Sequence, residues 1–221
     1  MSAPDQAVGV LIPVGRKVLR GDLDVPRRAR GVIIFAHGSG SSRHSPRNQY
    51  VARYLAQCDF ATLLIDLLTE DEEAADARTG HLRFDIALLA LRMAAILDWL
   101  TLEPGLRSLP VGLFGASTGG GAALVAAAER PHQVSAVVSR GGRPDLAGAA
   151  LPNVVAPTLL LVGGDDVAVI ALNREAMSRM HCTVSLQLVP GATHLFEEPG
   201  ALEAVATAAG QWFQRYLSGT S

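Results

Sequence analysis

Five short apolar runs, almost free of polar residues, set the strongest limit on how this chain can fold. They are GVIIFAHG (31–38), FATLLID (60–66), PVGLFG (110–115), VSAVVS (134–139) and PTLLLVGG (157–164). A strand with one wet face alternates polar and apolar residues. A continuous run suits a strand covered on both faces, as in a parallel sheet flanked by helices. Ahead of them, VGVLIPV (8–14) and KVLRGDL (17–23) read as two neighbouring strands joined by a turn near Gly15. TVSLQLVPG (183–191) alternates more and belongs nearer a sheet edge.

Longer periodic segments fall between the runs. Helices are expected at about 46–57, 81–100, 118–130, 169–180 and 201–217. In the second, Phe84, Leu88, Leu91, Ala95 and Trp99 recur every three or four residues and mark the expected buried stripe. Strands alternating with helices after an opening hairpin imply a three-layer α/β/α sandwich around a mostly parallel sheet of about eight strands. Residues 1–221 read as a single domain. LTEDEEAADARTG (68–80) reads as a solvated polar loop and the best candidate for a mobile cap.

Composition excludes several classes of function. Hydrophobic residues make up 49% and charged residues 18%, as in a globular protein, and the net charge of −2 offers no field to draw nucleic acid. No apolar run reaches the roughly 18 residues a spanning helix needs, so no membrane insertion is expected. The opening residues lack the basic end and apolar core of a secretory signal. Cys58 and Cys182 form neither a metal cluster nor a disulfide framework, and a cytoplasmic location is expected.

Chemistry enters at GASTG (115–119), where Ser117 lies between an apolar run and a helical segment. Attack on a carbonyl needs an exposed side chain at a strand end, with backbone N–H groups ready for the developing oxyanion. A sharp strand–serine–helix turn supplies both, with glycine two positions either side to relieve collisions. With 22 glycines in the chain, such a pattern arises by chance in roughly one case in eight. A glycine-rich packing turn with Ser117 as a helix N-cap therefore stays open on this stretch alone.

The partners shift the balance. A serine hydroxyl needs a histidine base, and the base an orienting carboxylate. LLLVGGDD brings Asp165 and Asp166 to one strand end, and VSLQLVPGATH brings His194 to the next, in the order serine, acid, histidine. His37, His44, His81, His132 and His181 sit less favourably and read as structural or solvated. Residue type alone leaves the two aspartates open. The N–H of Thr118, at the helix start, is one expected oxyanion donor. The second is expected from the loop after FAHG, with Ser39 best placed and Gly38 or Gly40 as alternatives.

Together, HGSGSSRHSPRN, GASTGGGAAL, SRGGRPDLAG, LLLVGGDD and PGATHLFEEPG resemble the α/β-hydrolase superfamily, specifically its dienelactone-hydrolase-like group of small members with little or no lid. The resemblance covers nearly the whole chain. It implies the α/β-hydrolase fold, assigns the acid to Asp166 through the G-G-x-D pattern, the base to His194 and an oxyanion donor to Ser39. One departure stands out: dienelactone hydrolases proper carry cysteine at the nucleophile position, whereas residue 117 is serine.

The expectation is therefore a serine hydrolase of carboxylesterase type acting on a small-molecule ester, with no metal, organic cofactor or nucleic-acid partner. A lactone hydrolase or acyltransferase with the same triad is an alternative, as is a non-catalytic binding protein on this scaffold. A nucleotide cradle is disfavoured, since GASTGGG fits neither common phosphate-loop pattern. Arg43 and Arg47 are candidates for gripping an acidic substrate, with Arg140 and Arg143 as further options; pairing with local carboxylates is the competing role. A homodimer is compatible with the sequence, which leaves the oligomeric state open.

Overall fold

A computed structural model describes residues 7–217. Eight strands form one sheet in the order β1-β2-β4-β3-β5-β6-β7-β8. The first two, β1 (Val8–Val14) and β2 (Lys17–Asp24), make an antiparallel hairpin, and β2 pairs antiparallel with β4 (Ala61–Ile65). From β4 onward every pairing is parallel, through β3 (Val32–Ala36), β5 (Val111–Ala116), β6 (Val134–Arg140), β7 (Thr158–Gly163) and β8 (Val184–Val189). All residues of β3, β4 and β7 are buried, as their unbroken apolar runs require. β8 forms the far edge, and its alternating sequence matches its partial exposure.

Side chains alternate across the sheet into two apolar layers. On one side Ile34, Leu63, Leu113 and Val137 pack with α3 (Ile86–Leu100) and α4 (Thr118–Glu129). On the other, Ile33, Phe35, Phe114 and Val138 pack with α1 (Pro46–Gln57) and α6 (Ala201–Tyr216). This is the three-layer α/β-hydrolase arrangement.

Two sequence expectations change. Residues 68–80 are not a loop: Glu70–Thr79 form a helix, α2. Thr69 accepts the Glu72 N–H while the Glu72 carboxylate accepts the Thr69 N–H, and Gly80 ends the helix in the left-handed region at φ 64°. Polarity concealed a complete capping box followed by a glycine stop. The expected helix 81–100 also divides. Leu82–Phe84 make a 3₁₀ turn, and α3 starts at Ile86 with Asp85 capping Leu88 N–H. Its buried stripe is Leu89, Met93, Ile96, Leu97 and Leu100, whereas Leu91 is 61% exposed. Nearly every position of this helix is apolar, so spacing alone cannot choose the inward face. The remaining helix, α5 (Val167–Ser178), follows β7.

Candidate active site

Only Ser117 separates the end of β5 from the start of α4. Its backbone lies at φ 51°, ψ −121°, in a region that non-glycine residues rarely enter. Three backbone hydrogen bonds hold it there. Its N–H donates to Arg140 O at 3.2 Å, and its carbonyl accepts from Gly120 and Arg143, both at 3.0 Å. Although Ser117 occupies the N-cap position, its hydroxyl makes no capping bond. The backbone bears the strain and the side chain is left idle.

Flanking glycines make the turn possible. A Cβ on Gly115 would lie 2.5 Å from the Gly119 carbonyl oxygen, and one on Gly119 would collide with the Ala36 carbonyl. Gly120 and Gly121 serve close packing against Ser139 and against the segment around Arg143. The glycine run thus brings α4 directly onto the ends of β3 and β6.

The loops after β7 and β8 are joined through their backbones. Gly164 N–H donates to Val189 O at 2.8 Å and Asp165 N–H to Ala192 O at 3.0 Å. Asp165 points to solvent, whereas the half-buried Asp166 meets His194, with Nδ1 to Oδ2 at 2.7 Å. An ionised carboxylate only accepts, so this bond places the proton on Nδ1 and leaves Nε2 as the acceptor. Gly141, at φ 51°, lies against the His194 loop, where a Cβ would come within 3.2 Å of both the His194 carbonyl oxygen and the Phe196 ring. Further along the loop, Glu198 accepts from the N–H and hydroxyl of Thr193, which hold its carboxyl below the usual range.

Ser39 reaches the same strand ends from β3, and its N–H donates to Thr118 Oγ1 at 2.9 Å. His37 supports this loop from beneath. Its Nε2 accepts the Leu67 N–H at 3.2 Å, so Nδ1 is the donor to Gly38 O at 3.0 Å. Of the structural and solvated roles that the sequence offers His37, the structure has the first: it is a buried bracket between two strand ends. His37, Asp66 and Glu73 bring potential metal-ligand atoms within 4.8 Å of one another. However, Leu67 N–H already engages His37 Nε2, and Arg43 engages Asp66.

A cleft of about 500 Å³ opens beside the turn, with Ser39, Thr118 and Arg47 in its wall and Glu73 and Asp76 of α2 along one side. The α2 contribution went unseen in the sequence, although the capping box was its signal. Arg43 pairs with Asp66 and, at 3.3 Å, with Asp22. Arg47 pairs with Glu197 at 2.9 Å, and Arg143 clasps Asp145 through two bonds of 2.8 and 2.7 Å. Arg140 is buried on the α1 side without a carboxylate partner among its hydrogen bonds.

Among the described residues no helix is long and apolar enough to cross a membrane. Known proteins place the whole assembly in context. The dienelactone hydrolase family pattern matches residues 19–219. A crystal structure of a dienelactone hydrolase from Anabaena variabilis is 60% identical, with a TM-score of 0.96 covering 97% of this chain and 100% of that one. Est1E from Butyrivibrio proteoclasticus, 16% identical, shares the fold with a TM-score of 0.78 over 94% of this chain and 98% of its own. Two Mycobacterium tuberculosis proteins, named as proposed phosphoribosyl transferases, are 56% identical over 210 residues. That match takes in 95% of this chain but 46% of theirs, so the chain spans about half the length of these relatives.

Proposed function

Since the chain belongs to the dienelactone hydrolase family, we propose that it is a serine hydrolase that cleaves a small-molecule ester through an acyl-enzyme. The observation that carries this reading is Ser117, held at φ 51° between strand and helix with a hydroxyl that caps nothing. A strained backbone around an idle nucleophile is costly unless the side chain has another task.

In the proposed reaction His194 Nε2 takes the Ser117 proton as Oγ attacks the ester carbonyl, and Asp166 stabilises the resulting imidazolium through Nδ1. The N–H of Thr118 receives the oxyanion, aided by the N-terminal end of α4; because the Ser39 N–H is engaged by the Thr118 hydroxyl, the second donor is the N–H of Gly38 or Gly40 in the same anchored loop. The imidazolium then gives its proton to the leaving alkoxide. Water, deprotonated by the same nitrogen, releases the acid and restores Ser117.

Fluorophosphonate labelling tests the nucleophile. Wild-type protein is expected to give one adduct at Ser117 and to hydrolyse p-nitrophenyl esters, whereas Ser117→Ala does neither. Equal labelling of both proteins would overturn the assignment. The name of the Mycobacterium relatives raises phosphoribosyl transfer as a second reading. Pyrophosphate release from phosphoribosyl pyrophosphate by this chain would favour it, and the serine-hydrolase reading expects none.

A further inference from the structure

Arg140 ends β6, paired in register with Ala116, the residue before Ser117. Ala136 and Val138 of the same strand face the α1/α6 layer, and by alternation so does Arg140. It is only 8% exposed. Its guanidinium carbon lies 5.8 Å from the centre of the Phe196 ring, and Nη2 donates to Asn48 Oδ1 at 3.3 Å. Nε and Nη1 are buried with no hydrogen-bond partner.

A buried arginine normally meets a carboxylate, as Arg92 does here with Glu72. Arg140 has no carboxylate among its hydrogen-bond partners and instead lies in the field of a second cation, Arg47. Burial, and then the charge of Arg47, pull its pKa down to about 10. Arg47 has its own buried, unpartnered Nε. Three guanidinium nitrogens, Nε and Nη1 of Arg140 and Nε of Arg47, thus lack an acceptor where two positive charges repel each other. The first turn of α1 holds Arg47 and Asn48 and contains no acidic residue, so its positive end adds to the same field. The acids on this loop are Glu198, bound to Thr193, and Glu197, which is 65% exposed and bonded to Arg47 Nη1.

We propose that Arg140, Arg47 and Asn48 form an anion subsite beside the catalytic turn, receiving a carboxylate or phosphate group of the molecule attacked by Ser117. The planar fork of a guanidinium matches either group. Arg47 lines the cleft and gives the route in, with the incoming anion displacing Glu197 from its guanidinium. The identity of the reacting molecule rests on the serine-hydrolase reading; the anion site itself does not.

Two measurements separate these claims. Ser117→Ala protein, titrated calorimetrically with inorganic phosphate and separately with acetate, is expected to bind one of them saturably at a single site; the tighter anion identifies the group. Adding Arg140→Met or Arg47→Met weakens that binding at least about tenfold, and Glu197→Gln tightens it about threefold. Arg16→Met, in the exposed hairpin turn, controls for net charge. No saturable binding of either anion, or binding that both arginine variants retain, overturns the subsite. Melting curves establish that each variant is folded, and Arg47→Met carries the test should Arg140→Met unfold. In the second measurement, the kcat/KM ratio for an acidic over a neutral p-nitrophenyl ester falls at least about tenfold in both arginine variants. Hydrolysis of neither ester by the wild type would sink the hydrolase reading and leave the anion site standing. Hydrolysis of both, with an unchanged ratio in the variants, would sink the subsite alone.

Discussion

The backbone N–H of Ser39 donates to the Thr118 hydroxyl across 2.9 Å, joining residues 79 positions apart. The loop after β3 is therefore tied to the first residue of α4, immediately beside Ser117. Thr118→Val removes the acceptor while keeping the shape of the side chain. The loop loses its anchor, and kcat/KM is expected to fall about 10- to 100-fold, the range for small misplacement of a transition-state donor. Thr118→Ser should retain most activity. Steady-state ester hydrolysis by both variants checks this, and equal losses would show that the hydroxyl is not what matters.

The 2.7 Å contact between His194 Nδ1 and Asp166 Oδ2 predicts a sharp difference between adjacent aspartates. Asp166→Asn should lower kcat by about 10⁴, because an amide can hold the imidazole in the wrong tautomer without moving it. Asp165→Asn, at a solvent-facing position, should stay within about threefold of wild type. Reversal of these two effects would exchange the roles.

Glu72 predicts how stability depends on acidity. Burial alone would raise its pKa, but hydrogen bonds from Arg92 and Thr69, with the Arg92 charge, hold it down at about 2. A carboxyl depressed in the folded state contributes stability that is fully present above its ordinary value of 4.5 and is lost as pH falls towards 2. Glu72→Gln should therefore cost about 2 kcal/mol near neutrality. The gap between variant and wild type should close on acidification from pH 5 to pH 2.5. Denaturant midpoints at several pH values measure it, and a gap that widens in acid would reverse the sign.

Gly119 predicts a steric effect. A Cβ there would collide with the carbonyls of Ala36 and His37, which are backbone atoms at the end of a buried strand. Gly119→Ala should destabilise by about 1–3 kcal/mol through overpacking and should also slow labelling of Ser117 as α4 shifts. Gly105→Ala, in open space, is the control. Thermal melts and labelling rates decide the outcome.

The strand positions, the layer architecture and the turn around Ser117 were legible because each leaves a local mark. Burial on both faces demands unbroken apolar runs, and a strand–helix elbow demands glycine at fixed offsets. α2 was also written locally, in Thr69, Glu72 and Gly80, yet its polarity pointed to a loop because its stabilising contacts are charged rather than apolar. Arg92 and Arg83 supply them by pairing with Glu72 and Asp76.

Tertiary structure decided what depends on neighbours distant in sequence. The inward face of α3 was set by the sheet it lies against, since an almost wholly apolar helix offers no contrast of its own. Asp166 meets His194, 28 residues away, because the β7 and β8 loops are joined by backbone bonds that leave Asp165 facing solvent. Arg43, Arg47 and Arg140 look equivalent along the chain. Arg143 finds its carboxylate two residues on, at Asp145; only folding gave Asp66 to Arg43 and Glu197 to Arg47, and left Arg140 buried in the field of a second cation. Charge is a property of the residue, but desolvation and the identity of the counter-ion belong to the packed surroundings.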